Sequence, residues 1–499
     1  MEVLSPVSDV SDHSFPIARA EHRVAERDSR PASTSGRQKS LAARPSDITL
    51  PLRFILTGVI ALMFGVLWLA VQPSLLATYH YNQNVIAATH LIVLGWICSV
   101  VMGAMYQLVP VALETRLYSE RMAKWQFAFH FAGFAGMVWM FLKWDMKQVG
   151  HFGTVLAVGV GLFVYNIART LRRVSKWNVT ATAVTAALFW FSLTVIAGLS
   201  IATAKCTYES TEGLATATGV KTVVAGLREL AGFMSHFDAI SAMHAHAHLG
   251  AVGFFTMLIV GVSYKLIPMF ALSEVQSPRR AVLSVALLNL GLAGSFITIL
   301  LRSPWKFAFA LVSIAALAIY GWELIAILLA RKRRALDWGI RYFLTAVALL
   351  IPVSILSAVL SLAALPLNPF TGQLENLYGF LGLIGVVSLA IIGMLYKIIP
   401  FLVWFGVYSP HIGRAQVPSL ADLYSARLQA AGYWSFMAGL TITSAAILLE
   451  KHPGVRVGCG LLTASVACLA GNVGSMLVHF ARPRIAALAT IKAEGHPGS

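Results

Sequence analysis

The sequence predicts an all-α polytopic membrane protein with twelve transmembrane helices arranged as three pseudo-repeated four-helix units. Of its 499 residues, 58% are hydrophobic and only 12% are charged. Its mean hydropathy is +0.73, which is typical of a chain that crosses a membrane many times. One pattern of histidine, glycine, tyrosine and proline recurs at regular distances along the chain. Composition predicts the class, and the recurring pattern predicts the internal repeat.

Apolar runs long enough to cross a bilayer follow one another from residue 52 onward. They lie at about 52–72, 86–109, 124–142, 151–170, 179–202, 244–268, 280–301, 306–330, 341–365, 377–402, 427–449 and 455–480. Residues 1–48 are rich in Ser, Pro and Arg and contain no apolar run, so we expect a disordered cytoplasmic tail and not a signal peptide. We therefore expect a twelve-span domain over 49–485 and a short cytoplasmic tail over 486–499.

The recurring pattern marks the second span of each unit. Glycines stand five and thirteen residues after a marker position, a tyrosine sixteen after it and a proline twenty after it. The three sets are His90, Gly95, Gly103, Tyr106 and Pro110; His248, Gly253, Gly261, Tyr264 and Pro268; and Phe380, Gly385, Gly393, Tyr396 and Pro400. Glycine permits close helix packing, tyrosine suits the membrane interface and proline ends a helix. The third set keeps the packing residues and lacks the histidine.

Charge predicts the orientation of the chain. The net charge of +17 comes from basic residues in short loops, so it does not indicate a nucleic-acid partner. Basic clusters precede the first span and follow the fourth and the eighth, where the positive-inside rule places the cytoplasm. We therefore expect both termini to be cytoplasmic and the chain to lie in the bilayer of a bacterial inner membrane. The four cysteines predict no disulfide framework.

Three alternating histidines begin the sixth span: His244, His246 and His248. Ionisable groups are costly inside a bilayer, so such a cluster indicates a function. On an α-helix His244 and His248 lie within about 40° of each other, while His246 points nearly the opposite way. One helix could therefore serve two neighbouring sites.

These features resemble subunit I of the haem-copper oxidases, and most closely the branch of the C-type cytochrome c oxidases and nitric oxide reductases. His246-Ala-His248, with the glycines, tyrosine and proline that follow, resembles the signature of that family's tenth helix, where two histidines hold two haems. The run from Ala251 to Phe255 resembles the family's sixth helix, which supplies a copper ligand. His90 falls where the second helix supplies a haem ligand. The resemblance implies a b-type haem, a cytochrome c or quinol electron donor and a small partner subunit.

The active-site pattern of the family is incomplete in this sequence. The family's copper needs a histidine pair on its seventh helix, and residues 281–301 contain none. Phe380 occupies the position at which the family's tenth helix would carry histidine. A complete dioxygen-reducing centre cannot be assembled from the family positions. Either the chemistry has been relocated onto the sixth span, or the chain is a divergent member that binds one haem or none.

We expect His90 and His248, with His246 beside them, to be the haem-binding residues, since imidazoles on facing helices are common axial ligands. A hydrogen-bonded structural role for His90 and His248, or the binding of a metal ion by them, is the alternative. His244 and His246, with His236 from the preceding loop as a third ligand, form a candidate copper or zinc site. His244 and His246 lie on opposite faces of one helix, so stoichiometric copper is not expected unless the first turn is unwound.

Three functions are compatible with these residues. The first is a haem-binding membrane redox protein with electron transfer or terminal oxidase-type chemistry. If the protein is an enzyme, it is then an oxidoreductase of the oxidase or nitric oxide reductase type. The second is a histidine-based metal-handling or transporter-like protein, although no span shows the Gly and Pro break that marks many transporter sites. The third is a catalytically inactive assembly or sensor protein.

Overall fold

The computed structural model describes residues 48–77, 79–209, 235–333, 335–366 and 368–487, together with Gly226, Glu229, Gly232 and Phe233. In these ranges twelve helices are long and apolar enough to cross a membrane, so the predicted fold class is confirmed. They are α1 (Thr49–Val71), α2 (Gln83–Ala112), α3 (Glu120–Lys143), α4 (Met146–Leu171), α5 (Val179–Lys205), α6 (Ala239–Ala271), α7 (Pro278–Leu300), α8 (Lys306–Leu329), α9 (Trp338–Leu360), α10 (Pro369–Val407), α11 (Ala426–Leu448) and α12 (His452–Ala481). The predicted N-terminal tail, apart from Ile48, lies outside the described residues.

Short elements connect the long helices. Three 3₁₀ turns lie at Pro73–Leu75, Ser409–His411 and Leu420–Leu423. Ala415–Gln416 pairs antiparallel with Ala486–Ala487, which form the first residues of the predicted C-terminal tail. The helix that contains α5 continues to Glu209, and α6 begins at Ala239, so both helices extend beyond the apolar runs predicted at 179–202 and 244–268.

A widened helical turn follows the marker residue of every repeat. The backbone changes to π-helical hydrogen bonding at Leu91–Cys98, Leu249–Thr256 and Leu381–Ser388, directly after His90, His248 and Phe380. Each segment is eight residues long and returns to α-helix at the same offset. π-turns often occur at functional sites, where they change the direction of a side chain. The sequence repeat is therefore also a repeat of backbone conformation.

The repeated glycines bring the first and second helices of each unit together. A Cβ at Gly103 would lie 2.6 Å from the Cβ of Phe54 in α1. At Gly261 it would lie 2.1 Å from the Cβ of Ala183 in α5, and at Gly393 it would lie 2.5 Å from the carbonyl oxygen of Gly339 in α9. Contacts this close leave no room for any side chain, as predicted for glycine at a helix–helix contact. The three units are thus packed in the same way.

Helices α2, α6 and α10 form the centre of the bundle. Their apolar windows are 61%, 61% and 83% buried, whereas the other nine described helices range from 17% to 56%. The π segments of α2 and α6 each contact that of α10. The indole N–H of Trp96 in α2 also donates a buried hydrogen bond of 3.0 Å to Ser388 Oγ in α10. The helices that carry the histidines therefore lie where the three units meet.

The repeated tyrosines and prolines do not have the interfacial and helix-ending positions that the sequence analysis predicts for them. Tyr106, Tyr264 and Tyr396 are at most 4% exposed and do not lie in an interfacial belt. Each packs at 5.6 Å between ring centroids against an aromatic ring of another helix; these partners are Phe163, Tyr320 and Tyr342. The prolines lie inside the last turns of their helices, which continue to Ala112, Ala271 and Val407. Both residue types therefore belong to the packed centre of the repeat.

Helix α9 is kinked near its middle, which the sequence analysis did not predict. It divides into Trp338–Ala348 and Leu350–Leu360 around Leu349. Pro352 explains the kink, since its ring lacks an N–H and clashes with the carbonyl group four residues earlier, that of Ala348. Hydrogen bonding continues on both sides, from Leu349 N to Thr345 O at 3.0 Å and from Val353 N to Leu349 O at 3.3 Å. The helix is bent and not unwound.

The glycine contact predicts a specific pair of substitutions. Gly261→Ala should lower the free energy of unfolding by about 1–3 kcal/mol, because the new methyl group collides with Ala183. Adding Ala183→Gly should restore most of the loss by reopening the space. Thermal unfolding in detergent measures both effects. Gly161→Ala in α4 is the matched control, since no atom lies within 4 Å of its Cβ position. Equal midpoints for Gly261→Ala and this control would refute the packing account.

Candidate functional site

A cavity of about 1560 Å³ lies at the end of the bundle where α2, α6 and α10 begin. It is larger than the roughly 300–1000 Å³ of typical small-molecule pockets. Among the described residues, five histidines line it: His80, His90, His244, His246 and His248. Thr89, Ala247 and Gly379, which precede the three marker residues, are exposed and also line it. Equivalent positions of the three repeats therefore line the same cavity.

His90 and His248 have the same hydrogen bonding. Nδ1 of His90 lies 2.8 Å from the carbonyl oxygen of Ile86, and Nδ1 of His248 lies 2.8 Å from that of His244. In both cases the acceptor is one helical turn earlier, so the Nδ1 proton is donated to the backbone. Metal-binding histidines are oriented in this way, since the bond leaves the Nε2 lone pair available. Both imidazoles therefore have the tautomer that a metal ligand needs.

His246 points toward α5. A Cβ added to Gly198 would lie 2.9 Å from Cε1 of His246, so this glycine provides the space that the imidazole fills. The Nδ1 atom of His246 is buried and has no hydrogen-bond partner of normal geometry. His90, whose ring lies 4.6 Å from that of Phe141 in α3, is close enough to His246 for an electrostatic interaction between them. His90 and His246 thus lie on the α3 and α5 side of the cavity.

His248 points toward α10. Its Nε2 atom lies 3.3 Å from the hydroxyl of Tyr378, and the two rings are stacked with centroids 5.9 Å apart. Phe380, two residues later, is 5% exposed and lines the same cavity without any ligand atom. The structure therefore separates His246 and His248 onto two sides of α6, as their spacing predicts.

His244 meets two residues that the sequence analysis did not single out. Its Nε2 atom lies 2.9 Å from Nε2 of His80, which precedes α2. Nδ1 of His80 lies 3.6 Å from a carboxylate oxygen of Glu375 in α10. Burial lowers the pKa of His80, so its imidazole is neutral near pH 7 and its nitrogen lone pair is available. His244, His80 and Glu375 form a group of three potential metal ligands.

His236, predicted as a metal ligand with His244 and His246, lies elsewhere. It is exposed, and its Nδ1 atom lies 2.8 Å from the carbonyl oxygen of Gly232. Among the described residues, the one group of three potential ligands within 4.8 Å contains neither His236 nor His246. The predicted set is not brought together because His246 points to the other side of α6 and His236 lies before the helix begins.

Basic residues stand at the rim of the cavity. Lys205, Arg302 and Lys306 all line it, and they come from the end of α5 and from the segment between α7 and the start of α8. The ammonium group of Lys205 lies 4.6 Å and 5.4 Å from the ring centroids of Tyr81 and Trp144. The cavity therefore combines an apolar interior with charged side chains of both signs, since Asp238, Glu375 and Glu450 also line it.

The start of α6 is fixed by a capping interaction. The carboxylate of Asp238 accepts hydrogen bonds of 3.0 Å from both the backbone N–H and the hydroxyl of Ser241. These bonds lower the pKa of Asp238, so the cap is ionised at neutral pH. Since the cap orders the turn that leads to His244, it helps to hold the histidine cluster in place.

Comparison with known proteins agrees with this architecture. The family model for cytochrome c and quinol oxidase polypeptide I matches residues 41–146. A solved structure, described as a haem-copper terminal oxidase dimer that gives insights into its catalytic mechanism, superposes with a TM-score of 0.58. The match covers 86% of this chain and 84% of that chain at 12% sequence identity. The chain has the fold of haem-copper oxidase subunit I. A search of the curated proteins finds no significant match.

The predicted resemblance to haem-copper oxidase subunit I is therefore confirmed at the level of fold, and in sequence over the first three helices of the chain. Proteins of that family usually bind haem. The sequence analysis missed His80 and Glu375. His80 lies in the short connection before α2, and Glu375 precedes the apolar part of its span. The available signal was an acid at the start of a span, five residues before Phe380, which is one residue from the repeat position that His244 occupies four residues before His248.

Proposed function

We propose that the chain is a haem-binding membrane redox protein in which His90 and His246 supply the axial ligands. The observation that carries the proposal is the position of these two imidazoles on the same side of the cavity, one on α2 and one on α6. His90 has its Nδ1 proton committed to Ile86, and the buried Nδ1 atom of His246 has no hydrogen bond of normal geometry. Two imidazoles on facing helices of neighbouring units suit low-spin haem.

The surroundings of these residues support the same ligand. The cavity is large enough for a macrocycle, and aromatic and aliphatic side chains such as Phe141 and Val195 line it. Gly198 leaves the space that the ring of His246 occupies. Lys205 and Arg302 at the mouth suit the anionic propionate groups of a haem. When bound, haem supplies a one-electron couple, and the chain contributes the ligand nitrogens, an apolar environment and charge at the rim.

His248 suits the role of haem ligand less well than His246. Its Nε2 atom faces the Tyr378 hydroxyl on the α10 side of α6. The symmetry-related position on α10 is Phe380, which provides no ligand atom. A second haem between α6 and α10 would therefore have His248 alone as its ligand. The geometry favours His246 as the partner of His90, whereas spacing in sequence favoured His248.

Exchange of single histidines tests the ligand set. His90→Ala and His246→Ala should each remove an axial bond, and the haem should be lost or its spectrum should become high-spin. His248→Ala and Phe380→Leu should keep the low-spin spectrum. Absorption spectra of the reduced and oxidised proteins, normalised to protein concentration, measure the effect. A variant at His248 that loses the low-spin bands while His246→Ala keeps them would assign the ligand to the other face of α6.

The proposed redox role does not include a complete dioxygen-reducing centre of the family type, because the histidines for such a centre are missing. Such a centre needs a second metal beside a five-coordinate haem, and α7 contains no histidine to hold it. The position on α10 that carries haem ligands in the family is Phe380. Electron transfer or sensing is therefore the proposed activity, with a cytochrome c or a quinol as the class of electron donor.

Activity assays test whether the protein lacks a centre that reduces dioxygen or nitric oxide. The purified protein, supplied with an artificial one-electron donor, should consume dioxygen or nitric oxide no faster than the same assay with His90→Ala. It should nevertheless accept electrons from that donor, which the appearance of reduced haem bands reports. An oxygen electrode and a nitric oxide electrode measure consumption. Sustained turnover that depends on His90 would show that a catalytic centre is assembled from other residues.

We further propose that both termini are cytoplasmic and that the cavity opens to the outer side of a bacterial inner membrane. The basic clusters Arg169 to Lys176 and Arg331 to Arg333 support this orientation, since they follow α4 and α8 on the side opposite the histidines. Reporter fusions test it. An alkaline phosphatase fused after Ser303 should be active, and one fused after Lys176 should be inactive; the reverse result contradicts the orientation.

A further inference from the structure

We propose that His80, His244 and Glu375 bind one divalent transition-metal ion at a site separate from the haem. One ligand comes from each four-helix unit: His80 from the connection before α2, His244 from α6 and Glu375 from α10. One ligand atom of each residue lies within 4.8 Å of the other two. The proposal does not depend on the haem, because His90 and His246 lie on the opposite side of α6.

The distance between the two imidazoles suits a shared ion. Nitrogen ligands bind such ions at about 2.0–2.1 Å, so two nitrogens on one ion lie at most about 4.2 Å apart. The Nε2 atoms of His80 and His244 are 2.9 Å apart. Metal-binding imidazoles commonly use Nε2 in this way, with Nδ1 directed to a second group. The two Nε2 atoms are therefore close enough for one ion to bind both of them.

A hydrogen bond between the imidazoles of His80 and His244 would also explain the 2.9 Å distance between their Nε2 atoms, but it explains less of the surrounding arrangement. In that case one Nε2 atom donates and the other accepts, and Glu375 has no part in the arrangement. Nδ1 of His80 is buried and has no hydrogen-bond partner, since Glu375 lies 3.6 Å away. An ion bound by the two Nε2 atoms and by the carboxylate gives Glu375 and both of these nitrogens a partner, whereas a hydrogen bond between the rings leaves Glu375 without one. This is the reason to prefer a metal site over a structural contact.

The ligand set indicates the class of ion. Two imidazoles and one carboxylate suit Zn²⁺, Fe²⁺ or Cu²⁺, and they leave coordination positions open. All three residues line the cavity, so the open positions face a space that small molecules can enter. Lys306 interacts electrostatically with both Glu375 and His244.

Elemental analysis of the whole chain tests the site. The protein is purified without a polyhistidine tag, stripped with a chelator, and loaded with Zn²⁺, Fe²⁺ or Cu²⁺ separately. Bound metal is counted by mass spectrometry, and haem is quantified in the same samples so that haem iron is subtracted. We expect about one non-haem ion per chain for at least one of these metals. His80→Ala, His244→Ala and Glu375→Gln should each reduce this value at least fivefold.

Control variants separate the site from other effects. His236→Ala changes an exposed histidine of the same region and should keep the ion. Unchanged haem content and a single gel-filtration peak show that the ligand variants are folded. X-ray absorption of the loaded wild-type protein gives a second readout, which should show imidazole scattering at about 2.0–2.1 Å. Less than 0.2 equivalents in the wild-type protein, or equal metal in all variants, would overturn the proposal and leave a hydrogen bond between the two histidines.

Discussion

The close contact between the first and second helices of each unit determines the rest of the architecture. Gly103, Gly261 and Gly393 allow α2, α6 and α10 to approach α1, α5 and α9 at backbone distance. In a membrane the hydrophobic effect does not drive helices together, so such close packing is a main source of association energy. Because the contact is repeated three times, the three second helices meet at the centre. Polar side chains on these helices then face one another and not lipid.

The π segments add the second constraint. A widened turn directly after His90, His248 and Phe380 changes the rotation of the helix between the marker and the glycines. The glycines can therefore face the first helix of the unit while the preceding turn faces the cavity. Residues 244, 246 and 248 still lie in regular α-helix, so His246 and His248 point to different sides. One short segment of α6 thus contributes to two sites: the proposed haem site toward α2, and the proposed metal site toward α10.

Much of this fold was accessible from the sequence. The twelve spans follow from runs of apolar residues, and the three units follow from fixed spacing of glycine, tyrosine and proline, which reflects repeated packing. The role of each individual histidine was harder to predict from the sequence. Spacing shows that His246 opposes His248 on a helix, but it does not show which of them faces His90, since that depends on the rotation of α6 in the bundle. His80 and Glu375 are far apart in sequence, and only the assembled units bring them to His244. The kink at Leu349 depends on Pro352 in a span whose apolar pattern is otherwise continuous.

We propose that the fold of an oxidase subunit holds haem on two histidines in this chain, without a complete binuclear centre. The absorption spectrum of the purified wild-type protein, combined with haem quantification by extraction into pyridine, tests this claim most directly. The account predicts one haem per chain, with a Soret band and sharp α-bands after reduction that are unchanged by carbon monoxide, because both axial positions are filled. A colourless protein, or a haem that binds carbon monoxide in full, would contradict it.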